Sequence, residues 1–333
     1  MTDPGTSQST ASSATVRRAD VLAAHSIDQV VFTIPDIATA VTFYTAFGMD
    51  VRQHDQQVDL YTYGHPHCWM TVIANGAPKA LAFISFGIFA EDEAAFRQRV
   101  DALGIGCDAH PLATRPGIWL RSPDGVAMQL VVAPKVSPSV KTPAHPMPGP
   151  ARGTAAAPAR SGVAAVRPRW LSHVLLFSPD VLGMIAFCED VLGLRLSDRS
   201  VDLVAFMHTP HGSDHHLFAF VKSDGAGLHH TSWDVGSLDE VGRGSEQLRS
   251  AGFHDGWGVG RHVLGSNYFY YARDPWGSFA EYSFDIDFVP AQPDWVSGSY
   301  APEDSFYLWG PAVPDWFVAN PETQQKSAQA ATS

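Results

Sequence analysis

His173 in LSHVLLF, His230 in GLHHTSWDV and Glu281 in SFAEYSF are the residues of this chain best placed to do chemistry. Two imidazoles and one carboxylate from separate strands can hold a divalent metal on one side and leave the other side open for substrate and dioxygen. That set points to a redox enzyme. Each residue also has a plainer reading. A lone strand histidine is more often core or surface than ligand. A carboxylate in an apolar strand is costly unless paired, yet the Glu281 segment has no nearby cation beyond Arg273. His229 and His230 are neighbours, and strand alternation sends them to opposite faces, so only one is expected to reach a shared cavity.

The elements that must position these residues repeat along the chain. IDQVVFTIPD (27–36) matches LSHVLLFSPD (171–180), each an apolar strand ending in Pro-Asp. A short helix with Phe43 or Phe187 follows, then Gly48 or Gly193 suited to a C-cap. Helical spacing with acidic starts recurs at 91–105 and 237–253, and both halves finish with strand, Pro-x-Gly turn and strand at 118–132 and 269–284. The fold class is therefore α+β: two tandem modules of paired βαβββ units, each curling a mixed sheet around a cavity. Aligning the copies sets Gln29 against His173, Phe83 against His230 and Gln129 against Glu281. Metal-binding chemistry is missing from all three first-copy positions together, so one mononuclear site is expected, in the second module.

With 333 residues the chain has room for two cores. Its net charge of −12 and lack of a Lys/Arg run argue against nucleic-acid binding. Cys68, Cys107 and Cys188 are too few and too scattered for a disulfide framework, which with the polar N-terminus suggests a reducing cytoplasm. No apolar run is long enough to span a membrane. The expected organisation is a mobile tail at 1–24, a module without metal at 25–133, a Pro/Ala-rich linker at 134–168, a catalytic module at 169–290, an aromatic covering segment at 291–318 and a tail at 319–333.

The stretch GVGRHVLGSNYFYYARDPWGSFAEYSF resembles the signature of the type I extradiol ring-cleaving dioxygenases of the vicinal oxygen chelate superfamily. There a His follows Gly-Arg, a Tyr comes nine residues on and the ligand Glu ten beyond, which are here His262, Tyr271 and Glu281. The resemblance spans roughly residues 25–290 and also matches His173 and the second His of the His229–His230 pair. It implies a further active-site histidine, His216, fourteen residues before His230. Tyr270 departs from the usual pattern, and register with Glu281 favours Tyr271 as the functional tyrosine. The resemblance implies cleavage of a catechol-type ring beside its hydroxyls with O2, at Fe(II), with Mn(II) the other ion the donors suit. It implies that His216 stabilises and protonates oxygen-derived species, while His262 and Tyr271 bind the substrate oxygens. Asn267 is expected in the pocket wall as a substrate contact. His54, His65, His67, His110, His145 and His254 are read as ordinary surface, linker or loop residues, and His208, His211 and His215 as a His-rich loop. A homo-oligomer is expected. The rival readings are a glyoxalase-like isomerase, a keto-acid dioxygenase, and a non-catalytic protein that binds an aromatic compound.

Overall fold

The computed structural model describes residues 17–146, 153, 155–292 and 295–330, with 326–330 as helical backbone alone. The first half contains β1 (Ser26–Ile34), α1 (Ile37–Phe47), β2 (Asp50–His54), β3 (Gln57–Tyr61), β4 (Met70–Ala74), β5 (Ala80–Ile88), α2 (Glu93–Leu103), β6 (Ile118–Arg121) and β7 (Ala127–Val132). Its strands form one mixed sheet in the order β2-β3-β4-β1-β5-β7-β6. The second half contains β8 (Leu171–Ser178), α3 (Val181–Phe187), β9 (Arg195–Ser200), β10 (Val204–His208), β11 (Ser213–Asp214), β12 (Phe218–Lys222), β13 (Gly227–Asp234), α4 (Leu238–Ser250), β14 (Gly256–His262), β15 (Tyr268–Arg273) and β16 (Phe279–Phe284). After these come β17 (Phe288–Val289), β18 (Gly298–Tyr300), β19 (Tyr307–Trp309) and α5 (Pro321–Ala330). The second sheet runs β18-β9-β10-β12-β8-β13-β16-β15-β14-β19, and β11 pairs with β17 apart from it.

The recurring Pro-Asp and Gly act as helix punctuation. Asp36 is extended and accepts the Thr39 N–H at 2.9 Å, capping α1. Asp180 does the same for α3 through Gly183 N–H at 3.0 Å. Gly48 ends α1 at φ 92°, a left-handed conformation that glycine tolerates best. A side chain there would also strike the Val166 carbonyl oxygen at 2.1 Å.

Strand pairing shows the duplication directly. β1 is parallel to β4 and antiparallel to β5, and β5 is parallel to β7. β8 has the same relation to β12 and β13, and β13 to β16. Three units are βαβββ. The second unit of the first module departs from that expectation: its middle strand is reduced to a single bridge, Gly106 to Leu120.

The modules share one continuous apolar core. The Phe47 ring stacks on Tyr282 with centroids 4.1 Å apart, and the Tyr282 hydroxyl donates to the Phe47 carbonyl at 2.7 Å. Lys79 and Asp274 form an ion pair across the boundary, each side chain 2% exposed, with the ammonium 4.6 Å from the Phe32 ring. Removing one partner would strand a buried charge, so the pair enforces this mutual orientation more than it adds stability.

Two expectations for the chain ends are corrected. Residues 1–16 lie outside the described part, but 17–24 are not a tail. Ala23 and Ala24 are fully buried, Ala24 N–H donates to Leu192 O at 2.8 Å, and Arg18 N–H donates to His211 Nδ1 at 3.1 Å. Residues 319–325 are likewise docked: Asn320 and Glu322 are buried, and the Glu322 carboxylate accepts Leu228 N–H at 2.9 Å. Composition misled because these short polar segments satisfy backbone groups of the body instead of supplying apolar area. The middle of the linker, 147–152 and 154, and the last three residues fall outside the described part.

Candidate metal centre and active site

β8, β13 and β16 are adjacent, and their register puts Ser232 of β13 opposite both His173 and Glu281. His173, His230 and Glu281 are 2%, 2% and 0% exposed, and one ligand atom from each lies within 4.8 Å of the others. His173 Nε2 stands 3.2 Å and His230 Nε2 3.5 Å from Glu281 Oε2. His230 Nε2 and Glu281 Oε2 are buried without a hydrogen-bond partner. Stranded atoms of this kind cost several kcal/mol (~1–3 for each polar group, more when charged) unless something joins them. A divalent cation fits: two imidazole nitrogens and one carboxylate oxygen converge, and among the described residues no fourth His, Cys, Asp or Glu joins the set. Burial raises the Glu281 pKa, but the His173 imidazole 3.2 Å away outweighs it and holds the carboxyl below its ordinary value. The group is thus an anion in the neutral range.

Each imidazole is held through its other nitrogen, which fixes which one is free. Phe317 O can only accept, so His229 Nε2–H donates to it at 3.0 Å. Neutral His229 then accepts His230 Nδ1–H at 2.7 Å, leaving a lone pair on His230 Nε2. His173 Nδ1 lies 3.3 Å from Ser172 Oγ, whose hydroxyl donates to Asp214 Oδ2 at 3.0 Å. Burial pushes the Asp214 carboxyl up to about 6.

This arrangement corrects the expected alternation of the His doublet. Pairing slips between Leu228 and His230, a β-bulge at His229, so both rings line the same cavity. The His216 ring lies 4.1 Å from the His173 ring, tilted 51° to it, and also lines the cavity. Burial, then the neighbouring His173, holds it neutral, well below the ordinary imidazole pKa. The His-rich loop is interior, with His208, His211 and His215 at most 3% exposed. His65, His67 and His110 are half-buried, not surface: His67 Nε2 donates to Asp28 O at 2.6 Å and His110 packs 5.3 Å from Phe83. His54, His145 and His254 are exposed.

Tyr271 pairs directly with Glu281 in register, whereas Tyr270 faces Tyr282. His262 Nδ1–H donates to Phe306 O at 2.9 Å, so its Nε2 accepts the Tyr271 hydroxyl at 2.8 Å. Burial, and secondly the Glu281 charge, raises Tyr271 well above the usual phenol range and keeps it protonated. Asn267 lines the cavity wall as expected, and its amide N–H groups donate to Glu281 Oε1 at 3.1 Å and Ser283 Oγ at 3.0 Å. It orients the carboxylate.

The cavity measures about 300 Å³, within the range that takes a small organic ligand. Its walls are mainly Leu175, Leu203, Val204, Phe206, Val221 and Leu264. Pro302, Ser305, Phe306, Phe317 and Val318 of the C-terminal segment close one side. Sequence reasoning did not find Ser172, Asp198, Asp214, His215 or His229 as supports, although the doublets HH at 215–216 and 229–230 were a usable signal.

In the first module the matching positions sit in the same register, Phe83 opposite Val31 and Gln129 opposite Ser85, as His230 and Glu281 sit opposite Leu175 and Ser232. There Gln29 donates to Thr71 Oγ1 at 3.0 Å and Gln129 accepts from Ser85 Oγ at 2.7 Å. Phe83 packs on Trp119. The two amides thus each have a hydroxyl partner in place of a convergent ligand set.

Residues 170–282 match the Glyoxalase/Bleomycin resistance protein/Dioxygenase superfamily. Over 301 residues the chain is 48% identical to metapyrocatechase 2 of Cupriavidus necator, covering 90% of this chain and 93% of that relative. The chain belongs to the extradiol ring-cleaving dioxygenases. Biphenyl-2,3-diol 1,2-dioxygenase of Metapseudomonas furukawaii is 30% identical over 150 residues, 42% of this chain and 46% of that protein. Among solved structures, homoprotocatechuate 2,3-dioxygenase of Arthrobacter globiformis superposes with TM-score 0.72 at 17% identity, covering 90% of this chain and 92% of that one. A Mn(II)-bound glyoxalase from Novosphingobium aromaticivorans gives 0.69 at 24%, covering 88% and 94%. At such identities these two show the vicinal oxygen chelate fold alone. For an extradiol dioxygenase, the His173–His230–Glu281 cluster is the place where a metal would be held.

Proposed function

We propose that this extradiol dioxygenase cleaves a catechol with an uncharged ring substituent, using Fe(II) held by His173, His230 and Glu281. The carrying observation is the pair of buried, unpartnered ligand atoms, His230 Nε2 and Glu281 Oε2, aimed at one point beside an apolar cavity. The donor set suits Fe(II) and Mn(II) alike; Fe(II) is chosen because ring opening needs electron density passed from substrate to dioxygen. A bound divalent ion acidifies a coordinated hydroxyl and holds the two reactants side by side.

The rest of the chemistry belongs to the side chains. Tyr271 and His262 form a neutral hydrogen-bonded pair at the cavity wall, positioned to bind a substrate oxygen. His216, neutral and tilted against His173, faces the same space and is placed to exchange protons with substrate and product oxygens. Asn267 steadies Glu281. Apolar walls exclude water. Among the described residues that line the cavity the one ammonium, Lys222, is paired with Asp202, which supports an uncharged substituent over a carboxylate.

The test is anaerobic loading of the chelated protein with Fe(II) or Mn(II), followed by dioxygen and a panel of catechols. Yellow ring-fission product from alkyl- or aryl-substituted catechols with Fe(II) supports the reading. Preference for a carboxylated catechol removes the substituent assignment, and activity with Mn(II) alone removes the iron assignment.

A further inference from the structure

The molecule uses adjacent histidines twice. At His229–His230 the outer ring ends on a backbone carbonyl, Phe317 O, and the inner ring presents Nε2 to the metal point. At His215–His216 the outer ring ends instead on a carboxylate: His215 Nε2 lies 2.8 Å from Asp198 Oδ2, and His215 Nδ1 lies 3.1 Å from His216 Nδ1. His216 Nε2 makes no hydrogen bond among the described residues, and its ring borders the cavity.

The geometry points to Asp198 and His215 as positioning residues that fix His216 in the tautomer with a bare Nε2, so that it enters the reaction as a proton acceptor. This rests on the proposed function for the place of His216 beside substrate. An ionised carboxylate only accepts, so His215 Nε2 carries the proton it donates. In its uncharged form His215 then has a lone pair on Nδ1, and the proton between the rings belongs to His216 Nδ1. That leaves Nε2 of His216 unprotonated. In turnover a proton leaves a catechol hydroxyl for His216 Nε2 and returns from it to an oxygen of the ring-opened product. No electron is exchanged in either transfer. While His216 carries the extra proton, the Asp198 charge two groups away offsets it through aligned hydrogen bonds. A backbone carbonyl, as at Phe317, supplies no such charge.

The surroundings hold the relay rigidly. Asp198, His215 and His216 are 5%, 0% and 3% exposed. Asp198 Oδ1 accepts Gly298 N–H at 2.7 Å, which leaves Oδ2 for His215. Trp295 packs edge-on against His215 at 5.3 Å, and Ser197 Oγ donates to the His215 carbonyl.

Asp198→Asn tests this with little change of shape. Gly298 N–H keeps the amide oxygen, so the amide N–H faces His215 and reverses both tautomers. Nitrogen-15 spectra of histidine-labelled, metal-free full-length protein read the ring nitrogens directly, with His216→Gln assigning the resonance. Expected are an unprotonated His216 Nε2 in the wild type and a protonated one in Asp198→Asn. In the iron-loaded variant kcat for catechol should fall by about 10² to 10⁴-fold, the usual worth of a proton-transfer group, with KM and iron content unchanged. Asp198→Glu should recover part of the loss. A protonated Nε2 in the wild type overturns the proposal. So does an Asp198→Asn variant with undiminished kcat, or one that loses iron and KM together with kcat. Iron-loaded wild type that opens no catechol would sink the ring-cleavage reading, while the tautomer spectra still decide the relay.

Discussion

Glu281 is the most constrained residue of the molecule: a fully buried anion whose one oxygen is held by Asn267 and whose other faces two imidazole nitrogens. His173→Ala should therefore abolish bound iron, measured by elemental analysis after anaerobic loading. His262→Phe should retain iron and lose about 10² to 10⁴-fold in kcat, because His262 bonds Tyr271 and lines the cavity outside the proposed ligand set. Equal iron loss in both would show that the roles are misassigned. Asn267→Ala should weaken iron binding by about 10 to 100-fold, the usual cost of losing an outer partner of a ligand, measured by competition with a chelator. The three converging residues were legible in the sequence because each is chemically out of place in an apolar strand. Their supports were not. Ser172, His229 and Asp214 become partners only once three strands and a bulge have been assembled, and a bulge leaves no clear mark in a pattern of period two.

At the scale of elements, the helix boundaries were readable because Asp36, Asp180, Gly48 and Gly193 act locally, through caps and left-handed turns. The weakened strand near Gly106 and the docked chain ends depend on tertiary contacts, so composition gave no hint of them. Helix α4 illustrates such a contact. At Gly244 an added Cβ would come within 2.4 Å of the Tyr282 ring, which is itself stacked on Phe47 of the other module. Gly244→Val should push the helix off that stack and cost about 1–3 kcal/mol, read by urea unfolding. An unchanged midpoint would mean that α4 shifts freely.

For the whole molecule, the order of the repeats was evident from sequence, but the tightness of their union was not. The segment before β1 lies between the modules with two interior histidines. Burial pushes His25 down to about 3 and His211 to about 4. Unfolded histidine titrates near 6.5, so between that pH and about 4 the unfolded chain binds protons that the folded chain refuses. Stability is then complete above about 6.5 and falls as the solution is acidified. At pH 5 the penalty is about 2 kcal/mol for each histidine, from about 1.5 pH units below the unfolded value. Urea unfolding at pH 7 and pH 5 should show this loss, and His211→Gln should reduce it. A stability that is flat over this interval would show that the two rings titrate normally.

The segment after β17 closes the cavity with side chains, yet it grips the interior with main-chain oxygens: Phe306 O on His262, Phe317 O on His229 and Pro311 O on Trp257. The second of these reaches His230 through one ring. Linkage makes the dependence mutual: an ion at His230 tightens the latch, and an unseated latch loosens the ion. Chelated protein should consequently be nicked by protease in this stretch sooner than loaded protein. A trimmed chain should in turn lose its ion before it loses its fold.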